Sequence, residues 1–287
     1  MLLAFINWRM NKKYKGVVVP MVTPLSEDYS LDVAAVERLL LLFRQHGVQP
    51  FVLGTTGEAS SMPAGLKEEF VRAAGRMKQA GDVLYVGIGS NCLADSVEAA
   101  KFAYGAGADV VVATLPSYYT LTEAQMEGYF ERLASRVGGP LIIYNIPATT
   151  HHTIPLPVID RLSHHENVVG TKDSERSAER LAASLKLWSG RPDFSHFLGW
   201  AAKSGEALLG GGDGLVPSTA NFAPALYRDM LAAAALGDAE KVGALQALSD
   251  ELGNSYQAGR LLGESLAALK RIMGKEGLCG VTMMPPL

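Results

Sequence analysis

The chain alternates short β-branched runs with longer stretches in which apolar residues recur every three or four positions. The runs are "GVVVPMVTP" from Gly16, "FVLGT" from Phe51, "VLYVGIGS" from Val83, "DVVVATLP" from Asp109, "PLIIYNIP" from Pro140, "VVGTKDS" from Val168, "FSHFLGW" from Phe194 and "DGLVPST" from Asp213. Each reads as a strand, and strands apolar on both faces belong to a parallel sheet covered by helices. Between them, helical spacing predicts Val33, Val36, Leu40 and Phe43 on one face of "DVAAVERLLLLFRQHG", while "LKEEFVRAAGRMKQAG" is expected to close on Gly81.

Strand starts fall roughly 20 to 35 residues apart, the repeat of βα units. Eight units predict an α/β fold, a (β/α)₈ TIM barrel of ~250 residues. The alternative is an open doubly wound sheet, but no phosphate-binding glycine fingerprint follows the first strand. The residues after the eighth strand hold more helix than one closing helix needs. They predict an eighth helix, at least two further helices packed on the barrel, and an irregular tail at "VTMMPPL". The expected division is an amino-terminal extension over 1–13, a barrel over 14–222, and the closing helix with a C-terminal helical extension over 223–287.

Composition narrows the class of function. With 48% hydrophobic residues, 19% charged and 30 glycines in 287 residues, the chain suits a packed core and not disorder. A formal net charge of −3, with no basic run, leaves no electrostatic footprint for nucleic acid or an acidic membrane. Small molecules and copies of itself are the expected partners. Cys92 and Cys279 are too few for a disulfide framework or a zinc site. The start, "MLLAFINWRM", reaches Asn7 and Arg9 too soon for a signal-peptide core, and no later run is long enough to span a bilayer. A cytoplasmic location follows as an expectation.

In a barrel of this kind, reactive groups project from the carboxyl ends of strands. Alternation is expected to put Val168, Gly170 and Lys172 on one face of strand six, Ile142 and Tyr144 on one face of strand five, and Phe51, Leu53 and Thr55 on one face of strand two. If those faces point inward, Lys172, Tyr144 and Thr55 converge at the barrel mouth. A desolvated lysine there is a nucleophile toward a carbonyl, forming a Schiff base. Tyr144 is suited to moving protons, Thr55 to handing them on, and Thr56 beside an exposed Gly57 N–H to holding a carboxylate. Spacing alone leaves a second reading open, in which Lys172 snorkels to water, Tyr144 is a half-buried aromatic and the threonines form turns.

Five separated motifs, in order, resemble the dihydrodipicolinate synthase and N-acetylneuraminate lyase family of class I, Schiff-base-forming lyases. They are "GTTGE" (54–58), "PSYY" (116–119), "YNIP" (144–147), "GTKDS" (170–174) and "GGDGLVPSTANFAP" (211–224). The resemblance implies a (β/α)₈ barrel with a helical extension, a tetramer of tight dimers, and no metal or organic cofactor. By it, Lys172 is the Schiff-base lysine, Tyr144 the tyrosine over the imine and Thr55 the relay. Thr56 with Gly57 receives the carboxylate of a 2-oxo acid, Tyr119 reaches across a dimer interface, and Val216 turns its backbone carbonyl toward the bound acid.

One segment departs from the pattern. Synthases of the family place an arginine two residues after the "YNxP" proline, where this chain has Thr149, and His151 stands where the family usually has glycine. A threonine lacks the charged fork that grips a carboxylate, leaving Arg176 or Arg180 as substitutes. The same stretch resembles members acting on 2-oxo-3-deoxy sugar acids or hydroxylated 2-oxo acids, with His151 and His152 either binding substrate hydroxyls or facing solvent. The expected function is thus a class I lyase or aldolase of pyruvate or a related 2-oxo acid, with an aldehyde as the other substrate. Dihydrodipicolinate synthase and a non-catalytic keto-acid-binding protein are the alternatives. "LGGGDG" reads as a tight turn near the pocket, Glu58 as a helix-start residue holding its own loop, and His164 and His165 as residues of a helix end.

Overall fold

The computed structural model describes residues 12–287. In chain order the elements are β1 (Gly16–Pro20), α1 (Val33–Gln45), β2 (Gln49–Val52), α2 (Ala64–Met77), β3 (Tyr85–Gly87), α3 (Leu93–Gly105), β4 (Val110–Thr114), α4 (Glu123–Ala134) and β5 (Leu141–Asn145). There follow α5 (Leu156–Leu162), β6 (Val168–Asp173), α6 (Ala178–Trp188), β7 (Ser195–Leu198), α7 (Ser204–Leu209), β8 (Gly214–Leu215), α8 (Pro224–Ala235), α9 (Ala239–Gln257) and α10 (Leu262–Lys275). The eight strands close into a barrel in sequence order, with β1 parallel to β8. The expected TIM barrel is therefore observed, and α9 and α10 supply the additional helices.

The strands are apolar on both faces because they bury two cores. An inner set, including Val18, Phe51, Tyr85, Val112, Ile142, Phe197 and Val216, fills the barrel. A larger outer set packs between strands and helices. Helix starts follow capping chemistry, in which a side-chain oxygen accepts one of the N–H groups the helix leaves unpaired. Asp32 caps α1 by accepting from the Ala35 N–H, and Thr122 with Gln125 forms a reciprocal capping box on α4.

Two helix expectations change. The buried face of α1 is Ala35, Val36, Leu39, Leu40 and Phe43. Val33 opens the helix at 39% exposure, because a residue in the first turn has no preceding turn to lean on. Helix α2 ends at Met77 with Lys78 extended, so Gly81, at φ +93°, shapes the following turn instead.

The amino-terminal end of the barrel is closed by polar ties. Lys12 Nζ donates to the Phe194 carbonyl at 2.8 Å and pairs with Asp213 Oδ1 at 2.7 Å, and Asp213 Oδ2 also accepts the His196 N–H at 2.9 Å. This corrects the reading of "LGGGDG". The segment enters β8, so it lies at the end opposite the strands' carboxyl termini, and its glycines serve packing: a Cβ on Gly214 would lie 2.3 Å from the Gly16 carbonyl. Apart from Lys12 and Lys13, the expected extension 1–13 lies outside the described residues.

The carboxyl-terminal helices are anchored by buried hydroxyls. Tyr227 of α8 meets Ser249 of α9 at 2.7 Å, and Tyr256 of α9 meets Ser218 at 2.7 Å and Thr219 at 2.9 Å in the loop after β8. Among the described residues no helix is long and apolar enough to cross a membrane.

Candidate active site

Strands β5 and β6 bring the central pair together. Their register sets Tyr144 against Lys172 and Asn145 against Asp173. Ile142 and Tyr144 alternate inward as expected. On β6 the alternation is interrupted by a register shift opposite Leu141 and Ile142. Val168 consequently belongs to the outer core while Val169 packs on the inner one, which corrects the shared face proposed for Val168, Gly170 and Lys172. A bulge inserts one residue and so exchanges the two faces. Lys172 still points inward, lining a small cavity with Val18, Phe51, Tyr85, Val112, Ile142, Phe197 and Val216.

Lys172 is buried. Its Nζ lies 3.8 Å from the Tyr144 ring centroid and 4.9 Å from that of Phe51. Burial pushes the ammonium below the ordinary lysine range, opposed in part by the charge and hydrogen bond of Tyr144. Burial alone would raise the Tyr144 phenol. The Lys172 charge and hydrogen bonds with Thr55, Lys172 and Ser174 outweigh it, so the phenol lies below the ordinary tyrosine range. The two groups are placed to exchange a proton.

Thr55 joins this pair by another route than alternation. Phe51 faces the inner core, but Leu53 packs outward with a left-handed backbone (φ +58°). The chain has left the strand by then, and a turn carries Thr55 back to Tyr144. Thr56 and Gly57 are buried beside it. The sequence predicts an exposed Gly57 N–H; the structure corrects this, since that N–H donates to the Gly54 carbonyl at 3.1 Å. Glycine suits position 57 because a Cβ there would lie a tight 3.0 Å from the Met21 carbonyl oxygen. Val216 continues β8 by donating its N–H to Leu198 at 2.8 Å.

The segment after β5 makes one helical turn, Pro147–Thr150. Thr149 bends its hydroxyl back toward the Ile146 carbonyl at 3.4 Å. His151 is exposed and left-handed at φ +60°, which explains glycine as the common choice there. His152 is buried, with Nε2 3.0 Å from the Tyr119 carbonyl oxygen, so it holds the Tyr119 loop and does not face solvent. Tyr119 itself is 73% exposed and Tyr118 79%, with their rings edge-on at 4.9 Å.

The two arginines weighed as a carboxylate grip differ in what holds them. Arg180 Nε is bound to Asp173 Oδ2 at 2.7 Å and lies 3.5 Å from Glu175 Oε2, and Arg176 is exposed. Asp173 and Asn145 form the support under the site: Asn145 Nδ2 donates to Asp173 Oδ1 (3.1 Å) and Glu175 Oε2 (3.0 Å), and its Oδ1 accepts the Ile154 N–H (3.0 Å). Sequence reasoning passed over this set and over Ser174, although "YN" and "KDS" adjoin the reactive pair and alternation turns their second members outward.

Glu58 does not cap its own loop. It starts a short 3₁₀ turn without capping it, at φ +59°, and pairs with Lys270 of α10. Among the described residues, no group of three or more His, Cys, Asp or Glu is placed to hold a metal ion.

Known proteins resemble the chain over most of its length. A probable 2-dehydro-3-deoxy-D-pentonate aldolase of Escherichia coli is 32% identical over 218 residues, covering 75% of this chain and 72% of its own. The dihydrodipicolinate synthase of Bacteroides thetaiotaomicron superposes with a TM-score of 0.91 at 31% identity, over 97% of this chain and 94% of that one. YagE, an Escherichia coli prophage protein solved in complex with pyruvate, superposes with a TM-score of 0.90 at 26% identity, over 96% and 93%. The sequence model of the Dihydrodipicolinate synthetase family matches residues 13–287, and the chain belongs to that family.

Proposed function

We propose that this protein is a class I lyase that forms a Schiff base between Lys172 and pyruvate or a related 2-oxo acid, with a hydroxylated aldehyde as the other half of its substrate. The observation behind it is the buried Lys172, its ammonium disfavoured by desolvation, against Tyr144 at the carboxyl end of the barrel. The uncharged amine attacks the keto carbon, and the carbonyl oxygen, protonated through Tyr144, leaves as water. In the resulting iminium the C4 hydroxyl gives its proton back to Tyr144, the bond between C3 and C4 breaks, and its electron pair passes to the iminium to leave an enamine as the aldehyde departs. Protonation of the enamine and hydrolysis then free the 2-oxo acid and restore the amine. Thr55 relays the proton, Thr56 receives the carboxylate in place of the Gly57 N–H, which is bound to Gly54, and the Val216 carbonyl faces the bound acid.

The far half of the pocket favours hydroxyls. Thr149 carries no charge where a guanidinium fork would grip a second carboxylate, and Arg180 spends its Nε on Asp173. The E. coli relative named as an aldolase of a deoxy sugar acid supports this choice, with Thr149 and His151 at the polar rim. The 31% identity to a solved synthase favours the second reading, condensation of pyruvate with aspartate semialdehyde. The exposed Tyr118–Tyr119 pair supports self-association as a dimer or tetramer in which Tyr119 enters a neighbouring site, with the protein acting in the cytoplasm.

Incubation with pyruvate and borohydride, followed by peptide mass spectrometry, tests the reading, with the adduct expected on Lys172. An unmodified Lys172 overturns it. Turnover with aspartate semialdehyde but with no deoxy sugar acid selects the synthase, and an adduct without turnover selects a binding protein.

A further inference from the structure

The residues that follow the Thr55–Thr56 turn are held by groups outside the Lys172–Tyr144 pair. Thr23 Oγ1 donates to the Gly57 carbonyl at 2.6 Å. The next residue, Glu58, has its carboxylate buried against the carboxyl-terminal extension: Lys270 Nζ lies 2.6 Å from Oε1, with the two side chains 1% and 0% exposed. The backbone N–H of Met284 donates to Oε2 at 2.7 Å, and Lys270 donates to the Thr282 carbonyl at 2.7 Å. One charge pair thus joins the "GTTGE" turn, helix α10 and the terminal tail.

A pair this deep gives little net stability over an apolar pair of the same volume, since desolvation offsets the attraction. What it gives is direction. Glu58 sits in a left-handed conformation at φ +59°, a backbone that a non-glycine residue holds only when its surroundings impose it. The carboxylate, fixed at both oxygens, is the contact that can impose it. Released, Glu58 would relax and shift the two residues before Gly57, which are the threonines of the site.

We propose that the Glu58–Lys270 pair, closed by the Met284 N–H, is a positioning latch through which the carboxyl-terminal extension sets the Thr55–Thr56 turn and so the affinity for the 2-oxo acid. Glu58 and Lys270 are positioning residues in this account. It rests on the assignment of Thr55 and Thr56 to the keto-acid site.

The test compares wild type, Lys270→Met, Glu58→Gln and the double variant E58Q/K270M as full-length protein. Two quantities are read: the pyruvate concentration for half-maximal borohydride trapping, and ligand-free hydrogen exchange across residues 53–62. Each single variant should raise the half-maximal concentration about tenfold or more, as a turn displaced by a fraction of an ångström would. The maximal trapping level should change by less than about twofold, the signature of lost ground-state binding and not of lost chemistry. Exchange at Thr55 and Thr56 should accelerate while that of β5 and β6 stays at the wild-type rate. The double variant leaves no unpaired buried charge, so it keeps the test valid if a single variant fails to fold. A folded double variant with wild-type half-maximal concentration and wild-type exchange overturns the latch. If wild type takes no pyruvate adduct, the catalytic reading fails by itself, and exchange at Thr55 and Thr56 alone decides the latch.

Discussion

Tyr144 and Lys172 are register partners on adjacent strands, and the lysine nitrogen sits 3.8 Å from the centre of the tyrosine ring. Burial drives the amine toward its neutral form, while Tyr144 holds part of its proton affinity in place. The two effects have opposite signs and are separable by substitution.

Tyr144→Phe removes the groups that raise the Lys172 pKa and leaves the burial that lowers it. In wild type the rate of imine trapping should rise with pH well below the ordinary lysine value of about 10.4. In the variant the midpoint should move to still lower pH while the maximal rate falls by about 10²- to 10⁴-fold, the usual worth of a positioned proton donor. Trapping rates measured across pH check both, and a midpoint that moves upward would contradict the assignment.

Asn145 ties both strand ends to the segment that follows. Replacing it with alanine strands the Ile154 N–H and frees Asp173 and Glu175 from one donor. The expected loss is about 1–3 kcal/mol, the cost of leaving a buried polar group unpaired, read as a lower urea midpoint at unchanged slope. A midpoint equal to wild type would show that the clamp adds nothing.

His196 faces outward from β7 with Ser184 Oγ at 3.2 Å and the Trp188 ring at 5.7 Å. Burial lowers it to about 4, with Asp173 opposing and Arg180 and Lys12 reinforcing. A depressed pKa means that the unfolded chain binds more protons, so its stabilising contribution is complete above about 6.5 and disappears as pH falls toward 4. The amount is on the order of 3 kcal/mol. Urea unfolding from pH 7 to pH 4 should show this slope in wild type and a flatter one in His196→Gln; equal slopes would remove His196 as the cause.

The two cysteines should differ sharply toward iodoacetamide. Cys92 is exposed and Cys279 buried, its thiol pushed up to about 11 by burial. The thiolate is the reacting form. Peptide mapping at neutral pH should find Cys92 modified and Cys279 modified only after denaturation, and rapid native modification of Cys279 would show the tail region to open.

The sequence made the barrel and its central pair visible because both rest on local signals. Strand β5 alternates without interruption, so Ile142 and Tyr144 were placed from spacing, and the motifs around Lys172 and Thr55 did the rest. Alternation failed at Val168 and Leu53 for one reason: a bulge and a left-handed residue each shift the face by one position, and neither has a composition that announces it. His151 shows such a conformation announced only by contrast with the family's glycine. Glu58 and Lys270 were out of reach because their partnership exists only once α10 docks, and "LGGGDG" was misplaced because glycine-rich turns occur at both ends of a barrel.

The largely apolar floor under Lys172 has a kinetic consequence for the lyase proposed above. Val18, Phe51, Tyr85, Val112, Ile142, Phe197 and Val216 pack around the amine on the barrel side. With that floor filled, the water expelled when an imine forms, and the water that later hydrolyses it, would share the substrate's route at the strands' carboxyl ends, and a departing aldehyde would stand in the path of the hydrolytic water.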